Sequence, residues 1–286
     1  MEKSIKKYFP VFALPTLVAF TIGFIIPFIM GIYLSFCEFT TVTDAKFVGL
    51  RNYIRIFSDA TFTHALVFTA LFTVVSVLTI NVFAFAIAML LTKGIRGTNL
   101  FRTVFFMPNL IGGIVLGYIW QILLNGILAN FGKTLTYSGT YGFWGLVILM
   151  NWQQIGYMMI IYISGLNSIP DSLYEAARVD GASEFRTFWQ ISLPLLAPGI
   201  VTTALFTIVA TWNNYFLPLI MLKDADWYPL TIGLNQWKDQ ASTAGGQAIQ
   251  NLVITGSLIT IIPLVIAFLC LQKYWQSGLA AGAVKE

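Results

Sequence analysis

The sequence predicts an all-α integral membrane fold with six transmembrane helices and both termini on the cytoplasmic side. Three observations carry this expectation. Of the 286 residues, 57% are apolar and only 10% are charged, against about 45–50% and about 25% in ordinary soluble domains. The charged residues leave six long stretches untouched, at 8–37, 60–92, 103–132, 134–170, 187–222 and 240–272. Lys and Arg, finally, fall unevenly between the connectors that join those stretches.

A bilayer core of about 30 Å takes about 20 apolar residues as a helix. The spans are therefore expected at about 11–36, 65–91, 104–125, 143–166, 199–221 and 250–271. An ionised side chain at mid-helix costs roughly 2.5–3.5 kcal/mol on insertion scales, so the charges sit between the runs. Backbone groups in lipid pair within their own segment, and the alternation of a barrel strand is absent, so the runs are read as helices. Pro15, Pro27, Pro108, Pro218 and Pro263 lie inside them and are compatible with kinked spans.

The first run follows Lys3, Lys6 and Lys7 but covers 8–37, far longer than the roughly 7–15-residue core of a secretory signal. Leu34-Ser35-Phe36-Cys37 has the outline of a lipoprotein cleavage box, but Phe36 is too bulky and the site too deep. An uncleaved first span is expected. With the N-terminus inside, the inner segments hold ten basic residues: Lys3, Lys6, Lys7, Lys93, Arg96, Arg102, Arg178, Arg186, Lys273 and Lys285. The outer segments hold six, namely Lys46, Arg51, Arg55, Lys133, Lys223 and Lys238. This excess supports a cytoplasmic N-terminus.

The outer connector after span one carries Leu50, Tyr53, Ile54 and Phe57 at helical spacing, with Arg51 and Arg55 opposite, and reads as an interfacial helix. In span three, Gly113 and Gly117 offer a close-packing surface. Gly126 to Lys133-Thr134 imitates a phosphate loop, but five residues separate its glycines where the motif has four. Tyr8, Trp144, Trp227, Tyr274 and Trp275 read as interface anchors.

Between spans four and five lies the densest polar patch: Asp171, Glu175, Arg178, Asp180, Glu184 and Arg186. Pro170 and Asp171 suit a first helical turn, and Ser172 to Asp180 read as a helix. Gly181 supplies the positive φ that stops it, and Ser183 caps a second short helix through Trp189. Leu173, Ala176, Ala177 and Asp180 share one side by their spacing. Read from residues alone, this is either an interfacial amphipathic loop or a docking element.

Glu175-Ala176-Ala177, three residues, Gly181, nine residues, then Ile191-Ser192-Leu193-Pro194 spell EAA-x3-G-x9-I-x-L-P in full. This resembles the signature of permease subunits of binding-protein-dependent ABC importers. Asp180-Gly181-Ala182-Ser183 with Phe188 resembles the sugar-importer branch. Trp212-Asn213 with Pro218-Leu219, and Gly278 to Lys285, are similar to maltose-type permeases, although Glu286 stands where a terminal glycine is common. The resemblance implies the type I importer fold in one permease domain over 1–286, with 168–194 as a cytoplasmic segment coupling to an ATPase. Glu175, Ala176, Ala177, Asp180, Gly181, Ile191, Leu193 and Pro194 are its coupling residues. It also implies two cytoplasmic ATPase subunits that bind ATP and Mg, a second and non-identical permease, and an extracytoplasmic sugar-binding protein. The setting is the inner membrane of a prokaryote, with lipid as the surrounding partner. In that family outer loops receive the binding protein, so 49–57 and 223–248 are candidate contacts, or else they only cover helix ends.

Asn151, Trp152, Gln153 and Gln154, with Trp212, Asn213 and Asn214, combine aromatic platforms with neutral hydrogen-bonding groups. Such residues either bind an uncharged polyhydroxyl cargo or bond helix to helix. Asn81, Asn109 and Gln121 are further intramembrane amides. Cys37 and Cys270 stand in separate runs and His64 is the one histidine, so no disulfide framework, metal cluster or catalytic triad is expected. The basic residues are scattered singly, unlike a nucleic-acid face. The chain is thus expected to be no enzyme and to hold no cofactor. An ion-driven transporter, or an importer of a non-sugar polar solute, are the alternatives. The former would show intramembrane acids or an inverted repeat.

Overall fold

The computed structural model describes residues 8–39, 42–224, 227–242 and 249–283, with 42, 242 and 275–283 described by backbone alone. Lys3, Lys6, Lys7, Lys285, Glu286, the side chains of Trp275 and the terminal segment, and parts of 223–248 lie outside the described residues. In chain order the elements are α1 (Leu14–Ser35), β1 (Cys37–Glu38), β2 (Lys46–Phe47), α2 (Arg51–Ser58), α3 (Ala60–Leu91), α4 (Thr98–Phe106) and α5 (Gly113–Ala129). They continue with α6 (Gly139–Asn167), α7 (Asp171–Val179), α8 (Glu184–Leu195), α9 (Ala197–Trp212), α10 (Phe216–Met221), α11 (Leu230–Ser242) and α12 (Gln250–Ala283). These residues divide into two compact units. One holds those up to Thr63 with Leu234–Ile262, the other His64–Gly233 with those from Pro263 on.

Among the described residues α1, α3, α6 and α12 are each long and apolar enough to cross a membrane, and two bent pairs pass the same test together. Thr98–Leu110 and α5 meet at 101°, and α8 and α9 at 65°. Counting each bent pair as one span gives six, with two corrections to the expected helices. The sequence reads 104–125 as one helix, but the chain breaks between Leu110 and Gly113. There Pro108 sits in a 3-10 turn and Gly112-Gly113 give little helical propensity. The run read as 199–221 likewise stops at Trp212 and resumes at Phe216 as α10.

In the first unit α1 is apolar all round, and before Leu34 none of its residues is buried. Phe20, Phe24 and Phe28 stack along it with ring centroids 5.1 and 5.8 Å apart. A helix of this kind takes lipid as its solvent. The α2 helix turns Asn52 and Ile56 inward and leaves Leu50, Ile54 and Phe57 exposed, the face that an interfacial helix gives to lipid. Asn52 dictates this. Its Nδ2 donates to the carbonyls of Ser35 and Cys37 (both 2.8 Å), and its Oδ1 accepts from Asn251 Nδ2 at 2.8 Å. Tyr53, read with the apolar face, instead bonds the Ser35 hydroxyl at 2.7 Å.

In the second unit Phe72, Ile80, Leu116, Leu149, Met158 and Met221 form part of the buried core. The α5 helix packs on α10 at Gly117, where an added Cβ would stand 3.2 Å from the Ile220 side chain, and Gln121 Nε2 donates to the Ile220 carbonyl at 2.9 Å. The Gly113–Gly117 spacing therefore marks a packing surface, used within the chain. Across α6 runs α4, at Gly156, so close that a Cβ there would fall on the backbone of Phe105 and Phe106. Trp227 is half-buried: its ring covers Gly139 and meets His64 edge-on at 5.1 Å.

Candidate functional site

At the end of α6 the chain forms the expected helix–turn–helix. Pro170 precedes the first helix in extended conformation rather than lying in its first turn, and α7 begins at Asp171. The helix closes with the Gly181 N–H on the Arg178 carbonyl (3.0 Å) and the Ala182 N–H on the Ala177 carbonyl (2.9 Å). That double closure requires a left-handed residue, and Gly181 has φ +70°. Ser183 Oγ then accepts from the Arg186 N–H at 3.3 Å and caps α8. The second helix runs beyond Trp189 through a π turn at Phe188–Ser192 to Leu195. Inside that turn Ser192, buried, donates to the Tyr174 hydroxyl at 3.3 Å and ties α8 to α7.

The residues that share one side of α7 differ in burial. Leu173, Ala176 and Asp180 are exposed, but Ala177 is buried against the protein. Glu175 is exposed and lines a cleft of about 900 Å³ with Lys93, Asp171, Arg178, Glu184 and Ser192. Met89 and Thr92 at the end of α3 line it too, so the ends of α3 and α6 and this segment meet at one cleft. Ile191 and Leu193 are half-buried, and Pro194 is exposed. Sequence reasoning missed the residues flanking the turn, Val179 (87% exposed) and Phe185 (74%). The signal was present, since both are large apolar residues within a few positions of a stop glycine in a polar segment.

The polar residues of the spans scatter. Successive helical residues point about 100° apart, so 151–154 cannot all face one path. Asn151 Nδ2 donates to Thr79 Oγ1 at 2.8 Å, while its Oδ1 is buried without a hydrogen-bond partner. Trp152 is 41% exposed and lies 5.4 Å from the Trp120 ring. Gln153 is buried and Gln154 half-buried. Trp212 is buried and Asn213 exposed. Asn214, in the break before α10, lies 3.2 Å from Met150 Sδ, and its carbonyl accepts from Thr231 Oγ1 at 2.8 Å. The structure thus brings Asn214 beside Met150, the neighbour of Asn151, and turns Trp152 and Asn213 outward. Arg102, counted from sequence among the connector charges, stands half-buried within α4.

A polar group that sequence reasoning left dispersed is assembled between α3, α6 and α9. Thr203 Oγ1 donates to the Tyr162 hydroxyl (2.7 Å), which donates to Asn81 Oδ1 (2.8 Å). Asn81 Nδ2 donates to Thr207 Oγ1 (3.3 Å), which donates back to the Thr203 carbonyl (2.7 Å). Thr203, Thr207 and Tyr162 are buried. At the opposite end of α6 from the helix–turn–helix, Lys133 lies over the Tyr137 and Tyr141 rings. Its hydrogen bond to the Tyr141 hydroxyl (2.7 Å) holds the ammonium above the ordinary lysine pKa.

Residues 93–280 match the family described as binding-protein-dependent transport system inner membrane component. The chain is 40% identical over 206 residues to the probable starch degradation products transport system permease protein AmyD of Thermoanaerobacterium thermosulfurigenes, covering 69% of this chain and 70% of that protein. It is 31% identical over 199 residues to the trehalose/maltose transport system permease protein MalF of Thermococcus litoralis, covering 66% and 68%. In fold it resembles a chain of a bacterial ABC transporter for import of the acidic polysaccharide alginate, with a TM-score of 0.74 at 17% identity, over 96% of this chain and 98% of that one. The extent of the family match and of these identities places the conclusion beyond fold alone: the chain belongs to the binding-protein-dependent transport system inner membrane components.

Proposed function

We propose that the chain is the translocation subunit of an ATP-driven importer that moves a sugar or oligosaccharide across the inner membrane by alternating access. The observation that carries this is the capped helix–turn–helix at 168–194. It holds Val179 and Phe185 bare on the face where α3 and α6 end, as a docking knob does and a loop that merely closes a span does not. Two cytoplasmic ATPase subunits bind ATP and Mg, and their closure pushes on this segment. Leu173, Ala176, Asp180 and the turn at Gly181 form the contact. Glu175 faces the cleft behind it, and Ile191, Leu193 and Pro194 carry the push into α9. A second, non-identical permease completes the path, an extracytoplasmic binding protein delivers the cargo, and both termini lie in the cytoplasm of a single permease domain over 1–286.

The relatives' names, starch degradation products and trehalose/maltose, support a carbohydrate cargo, as does the neutral chemistry of the candidate path. Among Asn151, Trp152, Gln153, Gln154, Trp212, Asn213 and Asn214, the best placed is Asn214, in the interrupted backbone and against Met150, with Asn151, whose buried Oδ1 has no hydrogen-bond partner, next to Met150 in the chain. The docking reading is tested by replacing both Val179 and Phe185 with Ser and purifying the assembly in mild detergent. The expected result is a stably folded permease that loses most of its ATPase subunit. Undiminished co-purification refutes the assignment.

A further inference from the structure

We propose that the Tyr162 hydroxyl is the pin through which the coupling segment grips α9, so that Tyr162, Asn81 and Thr203 are positioning residues for transport. This rests on the coupling reading above and adds the route inside the membrane. From the coupling segment the half-buried Phe188 ring meets Phe85 of α3 at 6.0 Å, and Phe85 meets the Tyr162 ring edge-on at 5.2 Å. Beyond Tyr162 the contact changes from rings to hydrogen bonds. Thr203 gives its proton to Tyr162, Tyr162 to Asn81, Asn81 to Thr207, and Thr207 to the Thr203 carbonyl. The four side chains form one connected set, and the Thr203 hydroxyl also lies within reach of the Gly199 and Ile200 carbonyls of its own helix (3.0 and 2.9 Å).

Such a circuit behaves differently from ordinary packing. In an apolar interior an unpaired hydroxyl is costly, and the partners of the Tyr162 hydroxyl, Thr203 and Asn81, both lie on other helices, so it is satisfied in the register that brings the three helices together. If α9 rotates or slides against α3 and α6, several bonds break together, and they reform together in any second register. An element with discrete arrangements is what a push at one end needs to become a defined displacement at the other. The displaced helix is the right one. Thr207 is followed one turn on by Thr211, buried and bonded to the Thr207 carbonyl at 2.7 Å, and then by the break at 213–215 that holds Asn214.

The test is Tyr162→Phe in the complete transporter, reconstituted in vesicles with its ATPase subunits and binding protein. The variant keeps the ring against Phe85 and removes only the pin. Subunit assembly, thermal midpoint and ATP hydrolysis should stay near the wild-type values, while ATP consumed per cargo imported rises about threefold to tenfold, the range that coupling residues command. The half-saturating concentration of loaded binding protein should not move. Thr203→Val should raise the same ratio and Thr203→Ser should restore it. The double variant Tyr162→Phe/Thr203→Val should be no worse than either alone, because both open one circuit. A wild-type ratio in Tyr162→Phe overturns the proposal, as does a lowered midpoint with the ratio unchanged, which would reduce the circuit to packing. If Tyr162→Phe does not assemble, equal ratios for Thr203→Val and Thr203→Ser overturn it instead. Failure of the wild-type assembly to couple ATP to import at all would sink the parent reading, and this inference with it.

Discussion

At Gly156 the second unit depends on the absence of a side chain. An added methyl group would coincide with the carbonyl of Phe105 and the peptide that follows it, and backbone cannot swing aside as a side-chain tip can. Gly165 on the same helix makes the contrast, since a Cβ there would meet only Leu196 Cδ2, at 3.1 Å. Gly156→Ala should therefore push α4 off α6 and cost at least the about 1–3 kcal/mol typical of overpacking, with Gly165→Ala well below it. Thermal unfolding of the detergent-solubilised protein reads the difference, and equal midpoints for the two variants contradict the crossing geometry. No sequence pattern announced Gly156, because its necessity arises from a helix about fifty residues earlier. Gly181 was legible for the opposite reason: its φ of +70° serves a local hydrogen-bond closure that the neighbouring residues already spell out.

The elements that were legible are those whose cause lies within their own sequence. The α7–α8 pair has its stop glycine, its Ser183 cap and its charged composition in one short segment, and the structure returns α7 shifted by one residue and α8 starting where expected but running on past Trp189 to Leu195. The broken spans were not legible. Apolarity over 103–132 and 187–222 measures suitability for lipid and says nothing about direction, so the 101° turn after Pro108 and the interruption at Asn213–Tyr215 were hidden inside runs that read as continuous. The fate of the intramembrane amides was equally hidden, because whether Asn81 or Asn151 bonds a helix or a cargo is decided by what the neighbouring spans present. The turn itself is open to test. Nothing lies within 4 Å of a Cβ added at Gly181, so any effect of Gly181→Leu comes from forcing a branched side chain into a left-handed backbone, about 1–2 kcal/mol. The segment should refold its turn rather than unfold the protein. Transport should fall severalfold with the thermal midpoint nearly unchanged, and Gly181→Asn should retain most activity. Full transport by Gly181→Leu would mean that the shape of the turn is immaterial.

Across the whole molecule, the partition of residues is that of a machine part and not of a self-sufficient transporter. Among the described residues α1 is exposed nearly throughout, and a cleft of about 900 Å³ opens beside the helix–turn–helix at 168–194, where α3 and α6 end. Family membership removes the ion-driven alternative, and the absence of acidic residues from the runs that form α1, α3, α6, α9 and α12 accords with it, since proton- and sodium-driven carriers place acids there. If the segment at 168–194 docks an ATPase as proposed, energy enters at one face, where α3 and α6 end. In vesicles of the reconstituted assembly, sealed with loaded binding protein on the side of the Lys133 loop, nucleotide should act asymmetrically. ATP with Mg supplied to the face bearing Val179 and Phe185 should drive uptake. The same nucleotide confined to the Lys133 side should give only background leak, and collapsing ion gradients with an ionophore should change the rate by less than about twofold, because these spans hold no acidic residue to couple to them. Uptake driven from the Lys133 side would place the engine at the wrong end of α6. Uptake abolished by the ionophore while ATP is present would require a proton or ion site that none of these spans contains.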